Sequence, residues 1–288
     1  MSKQKALVVL SGGQDSTTCL VWALAQGYDV SAVTFDYNQR HAREIQAAKD
    51  VAKLCGVTDH EIITLGPILQ GTSPLTNPAE TLETYQDFKS MDTIIGDRVE
   101  KTFVPMRNAL FLTVAANRAV CAGADVLVTG VCQADNANYP DCRAKFIKQQ
   151  GKTLNYALGY DTIKQLDRTG PWLWIQAPLM DLSKAQSIDL LRGLAHQFKI
   201  RPATLLDPFA LLAFTHTAYD GQYPPNGRDH ASVLRAEGFL QAGVPDPLVV
   251  RACMEGLMDL PPTPNYVETP VIPDLIARID FLKGELQA

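Results

Sequence analysis

An apolar run from Ala6 to Leu10 passes directly into Ser11, Gly12, Gly13, Gln14, Asp15, Ser16 and Thr17, and an amphipathic stretch from Asp15 to Ala25 follows. Few architectures accept that order of strand, glycine-rich turn and helix. Five consecutive apolar residues closed by glycines suit a parallel strand buried on both faces. Cys19, Leu20, Ala23 and Leu24 then fall on one face of the helix. The pattern repeats, with Val30 to Phe35 as a strand, Glu44 to Cys55 as a helix and His60 to Leu65 as a strand. This alternation predicts an α/β fold built on a doubly wound parallel sheet, with helices on both faces.

Residues 66–101 are rich in Pro, Gly, Thr and Asp and lack a clear period, which predicts a long functional or partly disordered loop. A helix is expected over Asn108 to Ala122 and a strand over Asp125 to Val131. A further αβ stretch is expected to end at Ile175 to Leu179, with a helix over Lys184 to Phe198. Beyond Arg201 the chain turns Pro- and Gly-rich. The reading therefore divides it into a main domain, 1–205, and a small helical C-terminal subdomain, 206–288. The stretch from Pro261 to Pro273 is expected to run over the surface before a last helix from Pro273 to Leu286.

The turn after the first strand carries the chemistry. A doubly wound sheet binds its ligands at strand C-termini. Two glycines there permit a tight turn with bare N–H groups, Ser11, Ser16 and Thr17 add hydroxyls, and the helix start adds its positive dipole end. Phosphate oxygens suit such a site. The Gly-x-x-x-x-Gly-Lys-Ser/Thr and Gly-x-Gly-x-x-Gly patterns are both absent. A ligand-free glycine turn is the competing reading.

Charge narrows the partners. With 26 basic against 31 acidic residues the net charge is −5, which argues against nucleic acid as the main partner. The apolar runs are strand-sized, so no membrane association is expected. The first residues lack a signal-peptide pattern, and a cytoplasmic location is expected. Six cysteines are scattered without a C-x-x-C pair, which favours buried thiols over disulfides or metal ligands.

Ser-Gly-Gly-x-Asp-Ser resembles the signature of PP-loop ATP pyrophosphatases, whose fold is of the HUP type (adenine nucleotide α-hydrolase-like). Further segments occur in one order: Phe35 to His41, Thr102 to Asn108, Thr129 to Cys132, Tyr139 to Arg143, Pro178 to Met180 with Lys184 and Ala185, and Gly238 to Pro247. Together they closely resemble the 7-cyano-7-deazaguanine synthase (QueC) family of queuosine biosynthesis, over about residues 5 to 247. The resemblance implies an ATP-dependent C–N ligase or synthase. ATP adenylates the carboxylate of 7-carboxy-7-deazaguanine, releasing pyrophosphate. A nitrogen nucleophile displaces AMP to give the amide, and a second activation dehydrates the amide to the nitrile. It also implies ATP and Mg²⁺ as cofactors, a small deazapurine carboxylate as substrate, and a homodimer.

The expected site residues follow. ATP is assigned to Leu10, Ser11, Gly12, Gly13, Gln14, Asp15, Ser16, Thr17, Phe35, Arg40 and Gly130. Asp15, Lys184 and Arg107 are assigned to catalysis, with Asp15 nearest the magnesium. Phe103, Asp135, Tyr139, Asp141 and Arg143 are assigned to the substrate. Several alternatives stay open: Lys184 as a solvated surface lysine, Arg107 as an ion-pair partner of the acidic 92–100 stretch, and Asn138 to Asp141 as an ordinary turn. His41 is read as a phosphate contact or a helix cap.

The chain departs from the family near its C-terminus. The family's zinc cysteines are replaced by Ala218, Asn226, Asp229 and Ser232, so zinc is not expected. His216, Asp229 and His230 are the nearest thing to another metal set, and solvated histidines are the simpler reading. Asn38 and Met106 stand where the family has glycine, and Gln133, Ala134, Asn136, Ala137 and Asn138 alter the presumed substrate edge. A second hypothesis therefore keeps adenylation but directs the acyl group to a protein amine, as in an antiphage defence (CBASS-type) system. The third hypothesis is a non-catalytic nucleotide-binding protein, against which the complete loop motif argues.

Overall fold

The computed structural model describes residues 3–40, 42–134, 137–160, 171–194, 208–267, 269 and 271–288. Five parallel strands form one sheet: β1 (Lys5–Val9), β2 (Asp29–Asp36), β3 (His60–Thr64), β4 (Val126–Val128) and β5 (Trp174–Gln176), in the order β3-β2-β1-β4-β5. The register sets Ala6 opposite both Val30 and Val126. Winding reverses between β1 and β4, which leaves a crevice at their C-terminal ends.

Strand alternation explains the layers, because successive side chains leave opposite faces. Ala6 and Val8 join a cluster with Leu20 of α1 (Gln14–Ala25), Val51 of α2 (Arg43–Leu54) and Ile188 of α6 (Lys184–Leu194). Leu7 points to the other face. There it joins Leu112 and Ala115 of α4 (Arg107–Ala122) and Ile147 of α5 (Ala144–Ala157). The C-terminal residues add to the first cluster through Phe209–Phe214, Phe239 of α7 (His230–Gln241), Val250 of α8 (Pro247–Met254) and Ile279 of α10 (Ile272–Gln287). Among the described residues, no helix is long and apolar enough to cross a membrane.

Four expectations need correction. Within 66–101 the chain forms a helix, α3 (Phe88–Ile95), closed by a capping box in which Asp87 accepts from the Ser90 amide and Ser90 from the Asp87 amide. Met91 and Ile95 anchor it against Val233 and Leu234. The strand expected over Asp125 to Val131 stops at Val128, so that Gly130–Cys132 is released to form the cavity rim. The strand expected to reach Leu179 ends at Gln176, because the chain turns back with Met180 N–H on the Ala177 carbonyl. The Pro-rich stretch does more than cover the surface: α9 (Pro264–Val267) buries Asn265 and Tyr266. Residues 195–198 of the expected Lys184–Phe198 helix lie outside the described residues.

Candidate active site

The loop after β1 is shaped by contacts on three sides. Gly12 has φ +84°, and a Cβ there would lie 2.3 Å from the Glu44 carbonyl oxygen and 2.7 Å from the Ala48 nitrogen. Only glycine combines that backbone with so close an approach of α2. The His216 amide donates to the Gly12 carbonyl at 2.9 Å, which ties segment 215–219 over the loop. Within the turn, Ser16 Oγ accepts from the Ser11 amide at 3.1 Å and donates to the Gly13 carbonyl at 3.1 Å. No side chain caps α1 at Gly13, so its first amides are left for other acceptors.

A cavity of about 290 Å³ opens here. Leu10, Ser11, Gly13, Gln14, Asp15, Ser16, Phe35, Arg40, Arg107, Gly130, Tyr139 and Lys184 all line it, bringing most of the expected site together. Gly12 and Thr17 lie behind that lining. Lys184 opens α6, and its ammonium sits 2.8 Å from Asp15 Oδ2 with the side chain only 12% exposed. That burial argues against the solvated-lysine reading.

Lys184 depends on a residue the motif search did not connect to it. A Cβ at Gly238 of α7 would meet Lys184 Cγ at 2.5 Å and Lys184 Cβ at 2.9 Å. Gly238→Ala is therefore expected to push the ammonium off Asp15 and to slow AMP formation from ATP by about 10- to 100-fold. Steady-state AMP release checks this, with circular dichroism confirming the fold.

Arg107 opens α4, and its recorded hydrogen bond goes to the Tyr37 hydroxyl at 3.5 Å, not to the acidic 92–100 stretch. Glu100 instead closes a buried network. It accepts from the Thr102 amide at 2.7 Å, the Thr102 hydroxyl, Tyr139 Oη at 3.2 Å and Tyr85 Oη at 3.3 Å. Burial first, then neighbouring Tyr219 and Glu100, push the Tyr139 phenol upward, so it stays protonated as a donor. Phe103 packs against Tyr139 in a tilted arrangement, with 5.6 Å between ring centroids. Phe35 and Phe111 stack at 4.4 Å and supply an apolar wall suited to a planar base.

The cavity also borders Glu44, whose carboxyl burial pushes up to about 7 while Arg107 pulls it down. Its folded value lies above the ordinary 4.5, so its contribution to stability is full below about pH 4.5 and is lost as pH rises through 7. Glu44→Gln is expected to gain about 3 kcal/mol relative to the parent chain between pH 4.5 and 8. Denaturant titrations at the two pH values read the difference.

Other assigned residues do structural work. Asp141 Oδ2 accepts from the Asn108 amide at 3.2 Å and caps α4. Arg143 donates to the Gln133 carbonyl at 2.9 Å and to Asn138 Oδ1 at 3.1 Å. Neither lines the cavity, nor does Phe103. Pro140–Cys142 is a short 3-10 turn. Arg40 donates to the Pro74 and Glu80 carbonyls, both at 3.3 Å, while keeping a place on the rim. Asp135 and His41 lie outside the described residues.

The family model described as "Queuosine biosynthesis protein QueC" matches residues 5–243. The chain belongs to the QueC family. A protein of Gloeobacter violaceus named 7-cyano-7-deazaguanine synthase is 44% identical over 246 residues, covering 85% of this chain and 95% of that one. One of the same name from Laribacter hongkongensis is 42% identical over 249 residues, covering 86% and 95%. Among solved structures, the NMN synthetase of Francisella tularensis is 14% identical with a TM-score of 0.37, covering 98% of this chain and 84% of that one.

The segment around Ala218, Asn226, Asp229 and Ser232 is held by ordinary hydrogen bonds. Asp229 caps α7, accepting from the Ser232 amide at 3.1 Å and the Ser232 hydroxyl at 2.7 Å. Asn226 donates to Asp220 at 2.5 Å, and Ala218 is fully buried. The His216 ring contacts the Ala218 carbonyl at 2.8 Å. Among the described residues, no group of three or more His, Cys, Asp or Glu side chains is placed to hold a metal. Asn38 and Met106, at the family's glycine positions, keep φ of +60° and +65°.

Residues the sequence reading did not assign to the site also line the cavity, among them Tyr37, Glu44, Phe111, Thr217, Tyr219, His230 and Arg235. None belongs to the phosphate-loop motif, and long-range packing alone places them here. Both amide atoms of Gln14 and both ring nitrogens of His230 are buried without a hydrogen-bond partner among the described residues.

Proposed function

We propose that this chain adenylates the carboxylate of 7-carboxy-7-deazaguanine with ATP and passes the acyl group to a nitrogen nucleophile, giving 7-amido- or 7-cyano-7-deazaguanine. The observation that carries the reading is the Asp15–Lys184 pair at 2.8 Å beside the Ser11–Thr17 loop, in one cavity with Arg107 and Tyr139. A carboxylate is a poor electrophile, and AMP gives it a leaving group. Charge then develops on the α-phosphate and on departing pyrophosphate, where loop amides, Lys184 and Arg107 supply donors. The unpartnered Gln14 amide fits an oxygen-rich ligand at the loop. The hard carboxylate donor Asp15 fits Mg²⁺, which when bound would offset phosphate charge. Arg107 and Tyr139 face the substrate carboxylate and ring, with Phe35 and Phe111 against the adenine.

The test is incubation with ATP and 7-carboxy-7-deazaguanine, with and without ammonia, following AMP, amide and nitrile. AMP that depends on the deazaguanine acid supports the reading, and no AMP under any condition overturns it. A second reading keeps adenylation and sends the acyl group to a protein amine, as in antiphage defence. Hydrogen bonds in place of the family's zinc ligands, and the Gln133–Asp181 contact at 2.6 Å on the altered edge, favour it. A mass shift on a partner protein, with no nitrile formed, distinguishes it. A homodimer is part of either reading, and light scattering measures it.

A further inference from the structure

We infer that His230 is the group that receives a hydrogen bond from the attacking nitrogen nucleophile and takes its proton as the acyl group leaves AMP. The inference rests on the adenylation reading above and concerns its second half. His230 is the first residue of α7, only 3% exposed, and lines the cavity. Neither ring nitrogen meets a hydrogen-bond partner among the described residues. A buried polar group left so is costly, and a ligand in the cavity that donates to it would recover that cost.

Its position selects its partner. His230 opens α7, the helix whose Gly238 packs on the Lys184 stem, and it shares the cavity lining with Lys184 and with Tyr139. Lys184, Arg107 and Arg235 also line this space, but as cations they accept no proton. Asp15 is engaged by Lys184.

The step balances. The nitrogen's lone pair forms the C–N bond, and the acyl C–O bond breaks with its electron pair on the AMP phosphate. The N–H proton passes to the imidazole and then to water. Burial first, and Lys184 with it, lower the imidazole to about 4 against the pull of Glu100, so it stands neutral with a lone pair available. Phosphates beside Lys184 offset that cation and raise the imidazole's basicity when ATP is bound.

Two half-reactions separate the outcomes. ATP–pyrophosphate exchange dependent on 7-carboxy-7-deazaguanine reads adenylation, and amide formation at saturating ammonium reads transfer. His230→Ala is expected to keep exchange within about fivefold and to lower amide formation at least 100-fold, with partial rescue by added imidazole. Where the alanine variant fails to fold, His230→Asn keeps a polar side chain without a basic nitrogen and is expected to show the same split. Equal loss of exchange and transfer overturns the inference, as does unchanged transfer. So does a transfer-only loss in Glu44→Gln with none in His230→Ala. Absence of exchange in the parent chain instead overturns the adenylation reading itself.

Discussion

Lys184→Ala should reduce deazaguanine-dependent ATP–pyrophosphate exchange by about 10²- to 10³-fold, the usual cost of removing one preorganised donor from a site of developing charge. The ammonium is held 2.8 Å from Asp15 with 12% of its side chain exposed, so it is positioned before any nucleotide arrives. The loss belongs to the turnover rate, because the cation matters most as charge moves onto pyrophosphate. Stability should change by no more than about 1 kcal/mol, since Asp15 is 26% exposed and water replaces the lost partner. Lys184→Arg should recover little, because the planar guanidinium differs in shape and Gly238 leaves room shaped for a lysine stem. Exchange kinetics and a thermal melt on the same samples decide it. A fall in both together would mean that Lys184 serves the fold.

Arg235→Met should destabilise the chain by about 3–5 kcal/mol, because it leaves a buried carboxylate without its counter-ion. Both partners are 4% exposed. The guanidinium donates through Nε and Nη2 to Asp246 at 2.6 and 2.7 Å. It also donates to Thr215 Oγ1 and Thr217 Oγ1 at 2.8 Å each, and to the Leu212 carbonyl at 3.1 Å. Five donors meet five acceptors, which no apolar side chain can imitate. Asp246 also caps α8 through the Leu248 amide at 2.9 Å, so Arg235 couples α7, α8 and segment 212–217. Urea titration of Arg235→Met, Asp246→Leu and the double variant checks this. The double variant should lose less than the sum of the singles, since it buries no lone charge. Additive losses would show that the pair contributes through separate contacts.

The phosphate loop was legible because its signature is contiguous, although the demand for glycine at Gly12 comes from the approach of α2. The turn needs glycine at Gly12, the helix must start at Gln14, and β1 must be apolar over five residues. The first three strands and first two helices share that property, since a period of two or 3.6 is visible within a dozen residues. The α3 helix was missed although Asp87 and Ser90 carry its cap. Its apolar face is two residues, Met91 and Ile95, which mean little without Val233 and Leu234 across from them. Asp141 and Arg143 show the converse. Their types suit a substrate, and in the fold they also hold the α4 amide and the Gln133 carbonyl, bonds that no sequence pattern announces.

Short-range patterning alone determined the first strands and helices, the phosphate turn and the family to which the chain belongs. Each of those is legible in short stretches of residues, even where, as at Gly12, a distant contact is what demands them. Tertiary structure decided the rest of the cavity. It set Lys184 against Asp15 across 169 positions of chain, made Gly238 the clearance for that lysine, and turned His230 inward without a partner. It also made Asp229 and Ser232 a helix cap. Such outcomes depend on which side chains meet once the sheet is closed, and burial then decides whether a polar group is a fastening or a tool.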